Sequence, residues 1–160
     1  HKNRATTIKH FACNNQENVR FNSNSVVSER ALREIYLKGF KVAIKEGKPI
    51  TLMTSYNLIN GKHSSERRDL VVDVLRNEWG YDGLVMSDWY TSYDVKIGIA
   101  NQEYQNAVPN ILGGNNLQMG GGKKDYDYII EAVKSGVITQ GNLLECAGKV
   151  YDLIEKLNQK

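Results

Sequence analysis

The chain has 160 residues, with 21 Lys plus Arg against 18 Asp plus Glu, a net charge of +3 and 41% apolar residues. That length predicts one domain with a real core, and two prolines among well-spaced Val, Ile and Leu argue against disorder. A charge of +3 gives no reason to expect nucleic acid, and no apolar run reaches the roughly 18 residues a membrane-spanning helix needs.

The first predicted element is the β-branched strand Ala5–Ile8. No apolar stretch precedes it, so no secretory leader is visible, and a cytoplasmic or a secreted parent both fit. A polar, Asn-rich stretch runs from Asn14 to Ser25. Ser28 is a plausible N-cap, with Glu29 at the positive helix end. Leu32, Ile35, Tyr36, Phe40, Ala43 and Ile44 then recur at helical spacing until Gly47 and Pro49 stop the helix.

The pattern repeats. Ile50–Thr54 reads as a buried strand, followed by a loop with an Asn60-Gly61 turn. Ser65 or Glu66 opens a helix with Leu70, Val71, Val74, Leu75 and Trp79 on its apolar face. Leu84–Ser87 is the third strand. A helix is expected between Asn101 and Leu112, broken or kinked at Pro109. Asn116–Met119 is expected as a short fourth strand, and Gly120-Gly121-Gly122 as a loop. Helices follow near Asp125–Ser135 and Gln140–Leu157, the last with Leu143, Ala147, Val150, Tyr151, Ile154 and Leu157 on one face.

Strand-helix alternation with nearly continuous apolar strands predicts an α/β fold with a parallel sheet. Candidate strand ends at Lys9, Met53, Asp88 and Met119 are 44, 35 and 31 residues apart. A (β/α)8 barrel of typical length has roughly 31 residues per unit. Four such units are present, and 160 residues fall short of the roughly 250 of a whole barrel.

Cys13 and Cys146 are far apart and form no CxxC, and His1, His10 and His63 have no ligand spacing with them. No metal site and no cofactor are expected, and two reduced thiols are the simplest reading.

Ligands bind at the carboxyl ends of strands in parallel α/β folds. Here those ends carry Lys9-His10, Met53-Thr54-Ser55-Tyr56 and Ser87-Asp88-Trp89. A cation, an imidazole, a phenol, a carboxylate and an indole on one rim suit a sugar. Charged groups bond vicinal hydroxyls, and an aromatic face packs on ring C–H groups. Singly, each has a plainer reading: Asp88 as a cap or loop residue, Lys9-His10 as a salt-bridged strand end, Trp89 and Met53 as packing. Their joint occurrence at successive strand ends favours function.

The same residues carry a family resemblance. Lys9–Glu17 resembles the KHF-A-x-NNQE segment of glycoside hydrolase family 3, in its β-glucosidase and β-xylosidase branch. Ser28–Tyr36 is similar to that family's SERALREIY helix start. Met53–Gly61 resembles its M-x-S-Y-N-x-x-N-G loop, and Leu75–Trp89 its LR-x-EWG(Y/F)-x-G-x-V-x-SDW block. Asn115–Gly120 resembles a G-N-D-x-x-M-P segment more weakly, with Asn116 for the Asp and Gly120 for the Pro. The resemblance implies about half of the family's catalytic barrel, its fifth to eighth strands, with residues 1–160 a partial domain.

By this resemblance Asp88 matches the catalytic nucleophile. Lys9, His10 and Arg20 match residues that bind sugar hydroxyls, Met53 and Tyr56 line that subsite, and Trp89 is an indole beside the substrate. The Ala12-Cys13-Asn14-Asn15 loop lacks the Pro-Gly-His of the N-acetylglucosaminidase branch, so a β-glucosidase-like specificity for terminal glucose or xylose is implied. A retaining hydrolase needs a second carboxyl about 5–5.5 Å from the first. Glu17 reads better as a brace of its loop, and Glu103 as a solvated helix residue. The family takes its acid/base from a separate C-terminal domain. The implied partners are therefore a carbohydrate, the absent N-terminal half-barrel and that domain. The chain alone is expected to be inactive and to self-associate through open half-barrel edges. Two alternatives stay open: a non-catalytic carbohydrate-binding or structural half-barrel, and an independent flavodoxin-like domain. The second would want a glycine-rich phosphate loop after the first strand, which Lys9–Gln16 lacks.

Overall fold

A computed structural model of the chain describes residues 4–91 and 105–158. Its strands are, in chain order, β1 (Thr7–Phe11), β2 (Asn24–Ser25), β3 (Thr51–Thr54), β4 (Leu58–Ile59), β5 (Lys62–His63) and β6 (Leu84–Met86). β1, β3 and β6 form a parallel sheet in that spatial order. The fold is thus α/β with parallel strands, as expected. Each crossover within this sheet is helical, which is how neighbouring parallel strands are joined.

The first crossover begins with α1 (Glu29–Ala31), widens into a π-wound turn at Leu32–Tyr36 and continues as α2 (Lys38–Gly47). Ser28 caps it, its hydroxyl accepting the Ala31 N–H at 3.2 Å. The left-handed terminating residue is Lys48 (φ 44°) rather than Gly47, and its N–H donates to the Ile44 carbonyl at 3.2 Å. The second crossover is a 3-10 turn at Ser64–Glu66 followed by a π-wound helix, Asp69–Glu78.

Register explains the packing. Ile8, Leu52 and Val85 are aligned across the three strands. They pack with Leu32, Leu37, Leu70 and Leu75 of the crossover helices in the main core. Fully burying one such leucine contributes about 1.5–3 kcal/mol. Because side chains alternate along a strand, Thr51, Met53, Leu84 and Met86 occupy the opposite face.

After β6 the expected fourth strand is not formed. Only Met86 and Leu117 make an isolated parallel bridge. The Asn116 side chain takes over part of the ladder, accepting the Val85 N–H at 3.1 Å. A hydrogen bond spent on a side chain does not extend a strand. Of the expected 101–112 helix, residues 101–104 lie outside the described residues. The helix found is α3 (Ala107–Gly113). Pro109 sits in its first turn, where a missing N–H costs nothing, so it neither breaks nor kinks the helix. α4 (Lys123–Lys134) and α5 (Gln140–Asn158) follow. A smaller core of Val108, Ala132 and Ile138 joins them.

Two features went unforeseen. β2, β4 and β5 form a small second sheet over the Asn-rich loop, with β4 and β5 joined by the Asn60-Gly61 turn. α5 buries none of its residues and leaves Leu144, Tyr151 and Ile154 more than half exposed.

Candidate active site

Asp88 and Tyr56 each stand two residues beyond a strand, past β6 and β3 respectively, while His10 lies within β1. Asp88 is buried, 5% exposed. Its Oδ1 accepts the Trp89 N–H at 2.8 Å, and its Oδ2 lies 3.5 Å from His10 Nε2. The Tyr56 hydroxyl lies beside this carboxylate and feels its charge. Burial, and then the Asp88 charge, push the Tyr56 phenol far above its ordinary pKa, so it keeps its proton.

Buried hydroxyls and an amide hold the chain after His10. The Phe11 carbonyl accepts from the Ser55 N–H at 2.9 Å and from Ser64 Oγ at 2.5 Å. The same Ser64 oxygen accepts the Ala12 N–H at 3.2 Å. The Ala12 carbonyl accepts from Ser55 Oγ (2.9 Å) and Asn57 Nδ2 (3.2 Å). The Lys9–His10 and Phe11–Ala12 peptides are cis. Sequence reasoning missed Ser55, Asn57 and Ser64 as supports, although Ser55 and Asn57 lie in a quoted motif.

Asp88 is supported on its other side by Ser87. That hydroxyl donates to the Asp88 carbonyl at 2.8 Å and accepts the Met119 N–H at 3.0 Å. Thr54, at the end of β3, donates to Asn115 Oδ1 at 3.0 Å. The weakly matching segment 115–120 therefore underpins two strand ends.

Arg20 approaches from the loop. Its guanidinium lies 4.8 Å from the Tyr56 ring centroid and 5.2 Å from that of Phe21. Glu17 pairs with it at 2.6 Å and takes an Asn14 amide hydrogen bond at 3.1 Å. These contacts hold the Glu17 carboxyl below its usual range, the Arg20 hydrogen bond being the largest cause. Glu17 therefore braces its loop, as expected.

The other expected residues are more peripheral. Trp89 is 46% exposed and packs edge-on to Tyr90, centroids 5.7 Å apart. Met53 is nearly buried opposite Met86. Lys9 is exposed on β1, and no described contact joins it to Asp88. Glu103 lies outside the described residues. Among the described residues no three His, Cys, Asp or Glu side chains gather as a metal cluster.

Gly120 has a physical reason for departing from the family proline. Its φ is +83°, and a Cβ there would come within 2.5 Å of the Tyr90 ring. Proline is locked near −65°. The glycine lets this segment close onto Tyr90 and Trp89.

Chemically, the rim offers one buried carboxylate between an imidazole and a phenolic donor, beside a guanidinium and an exposed indole. Such a set fits a polyol ring with an electrophilic carbon at the carboxylate. Residues 1–153 match the glycosyl hydrolase family 3 N terminal domain. The chain belongs to glycoside hydrolase family 3. It is 44% identical to beta-glucosidase B of Emericella nidulans over 156 residues, covering 96% of this chain and 17% of that protein. It is 43% identical over 151 residues to an exo-alpha-(1->6)-L-arabinopyranosidase of Bifidobacterium longum, covering 94% and 18%. The crystal structure of the Bifidobacterium adolescentis beta-glucosidase of this family superposes with a TM-score of 0.83 at 41% identity, covering 97% of this chain and 21% of that one. The chain thus spans about a fifth of the length of these relatives.

Proposed function

We propose that this chain is part of the catalytic barrel of a retaining β-glycosidase that removes terminal β-linked glucose or a related sugar. Asp88 is its nucleophile. The observation that supports this most is the buried Asp88 carboxylate, held by the Trp89 N–H and flanked by His10 and Tyr56. In the reaction, one Asp88 oxygen attacks the anomeric carbon as the glycosidic C–O bond breaks. A glycosyl ester forms on Asp88. The departing oxygen takes a proton from an acid that this chain does not supply. Water, deprotonated by the conjugate base of that acid, then releases the sugar and frees Asp88.

Lys9, His10 and Arg20 donate hydrogen bonds to sugar hydroxyls in this reading. Met53 and Tyr56 line the ring, and Trp89 offers its face. The relatives act on β-glucosides and on an α-L-arabinopyranoside by name. Both sugars place the scissile oxygen equatorially, so one nucleophile geometry serves them.

The three strands β1, β3 and β6, with the bridge at Leu117 in place of a fourth, correspond to strands five to eight of the barrel. On that view the missing half-barrel would pair along β1 and cover the face bearing Thr7 and Met53. The isolated chain lacks the acid/base, is inactive, and self-associates through its uncovered edges.

Full-length protein treated with a 2-fluoro β-glucoside should be trapped as a stable glycosyl-enzyme. The peptide carrying Asp88 should bear the label, and Asp88→Asn should prevent it while leaving the fold intact. A label on any other residue, or normal turnover in Asp88→Asn, sinks the assignment.

A further inference from the structure

We infer that Glu17 is a positioning residue, which holds the Arg20 guanidinium against the Tyr56 ring beside Asp88. This deepens the glycosidase reading and rests on it. Glu17 itself would touch neither sugar nor nucleophile.

Arginine at position 20 is poorly anchored by its own backbone. It follows Val19, a left-handed residue (φ 51°), in a run of turns without regular structure. A long side chain leaving such a loop has many rotamers, and fixing it costs entropy. Among the described residues, three contacts restrict it. Glu17 Oε2 accepts from Nη1 at 2.6 Å. The Tyr56 and Phe21 rings, themselves edge-to-face at 4.6 Å, present π surfaces to the guanidinium. Of these three, Glu17 supplies the direction, because a cation–π contact leaves the planar group free to slide and turn.

Glu17 is in turn fixed through both oxygens. Oε1 accepts from Asn14 Nδ2 at 3.1 Å while Oε2 holds Arg20. The Arg20 N–H also donates to the Glu17 carbonyl at 3.4 Å. The carboxylate is therefore tied to the loop at Asn14, directly after the segment that Ser55, Asn57 and Ser64 pin at Phe11–Ala12. Arg20 feels the charge of Asp88 as well as that of Glu17. The chain of contacts runs from a rigid strand end, through Glu17 and Arg20, to the Tyr56 ring whose hydroxyl stands beside Asp88.

An exposed ion pair of this kind adds little to stability. Its effect should be read in sugar binding, not in melting. The test uses the full-length protein carrying this segment, with four forms: wild type, Glu17→Ala, Arg20→Met and the double variant. Aryl β-glucoside kinetics and calorimetric glucose binding are measured for each, with melting temperature as the control for folding.

Glu17→Ala should raise KM and the glucose Kd by about tenfold or more, the scale of a misplaced positioning group. kcat should fall less than KM rises, and the melting temperature should barely move. Glu17→Gln, which keeps an acceptor oxygen, should recover part of the loss. The double variant should be no worse than Arg20→Met, because Glu17 then has nothing left to position. Additive losses overturn the inference, as does wild-type affinity in Glu17→Ala. Glucose binding without turnover in the wild type would defeat the catalytic reading but leave the coupling measurable. A wild type that binds no glucose would defeat both.

Discussion

His10 Nε2 lies 3.5 Å from Asp88 Oδ2, although 78 positions separate them and β3 lies between their strands. The sheet brings the ends of its two outer strands together over the middle one. Tyr56, from the middle strand's own loop, closes the group beside the same carboxylate. One residue from each βα unit meets at one point, which is how a barrel rim assembles a site from separated segments.

Tyr56→Phe removes the phenolic donor and leaves the ring that Arg20 and Phe21 pack against. A hydrogen bond to a charged acceptor contributes about 1.5–3 kcal/mol. Turnover of the full-length protein should therefore fall roughly 10- to 150-fold, with near-normal thermal stability. Because the phenol's pKa is pushed up by burial and by Asp88, the hydroxyl stays protonated through the alkaline range. The basic limb of the pH–rate profile should keep its position in Tyr56→Phe. A displaced limb would mean that the tyrosine itself titrates.

Ser64 is fully buried, and its oxygen serves both the Phe11 carbonyl and the Ala12 N–H. Ser64→Ala leaves that N–H unpaired. The expected cost is about 1–3 kcal/mol of unfolding free energy, read from urea melts. If the shift is below about 0.5 kcal/mol, the bridging role is refuted.

Burial pushes the Cys13 thiol up to about 11, with the Arg67 charge opposing it weakly. At pH 8 the folded protein should hide Cys13 from a thiol reagent, and denaturant should expose it. The sign of the stability effect follows. An unfolded thiol near 8.5 loses its proton first. Stability from this group is complete below that pH and declines as pH rises towards 11. Rapid labelling of native Cys13 at pH 8 would contradict its burial.

The legible parts of the fold were those set by local pattern. Ser28 ahead of the Leu32 periodicity marked a helix start, and the apolar runs at Leu52 and Val85 marked strands. Asp88, Tyr56 and His10 were legible because they follow or end such strands. The Ser64 bridge was not, since its partners lie 52 and 53 positions away and nothing local selects them. The missing fourth strand had a similar cause. Asn116 looks compatible with a short strand until its side chain is seen competing for the Val85 N–H. Gly120 stands where the resembling motif has proline, and its positive φ and the Tyr90 ring above it explain a residue without a side chain.

β1 is hydrogen-bonded on one side by β3 and has no second strand partner among the described residues. α5 exposes Leu144, Tyr151 and Ile154. An open edge and an uncovered apolar face favour association. Light scattering of the 160-residue chain should give a mass that rises with concentration, and an aryl β-glucoside assay should show no turnover. A monomer at every concentration would refute the first expectation. Turnover approaching an ordinary ~10 s⁻¹ would refute the second.

The last prediction concerns a buried cation. Arg76 donates from Nη2 to Asn116 Oδ1 at 2.7 Å and from Nη1 to the Tyr81 and Gly83 carbonyls at 3.2 and 3.1 Å. All three acceptors are neutral, Nε has no hydrogen-bond partner among the described residues, and burial holds the guanidinium pKa below its usual value. Asn116→Asp would place a carboxylate oxygen where the amide oxygen stands, against both Arg76 and the Val85 N–H. Replacing a neutral acceptor by a charged one should add about 1 kcal/mol, once the carboxylate's own desolvation has offset part of the gain. The new Asp would have a depressed pKa in the folded state. Its contribution should therefore be present above the unfolded carboxylate value of about 3.9 and be lost as pH falls through the lower folded value. Urea melts of both forms at pH 7 and at pH 2–3 check this. The variant should be more stable at pH 7, and its advantage should shrink in acid. Equal or lower stability at pH 7 would mean that the neutral Asn116 already satisfies Arg76 as well as a carboxylate can.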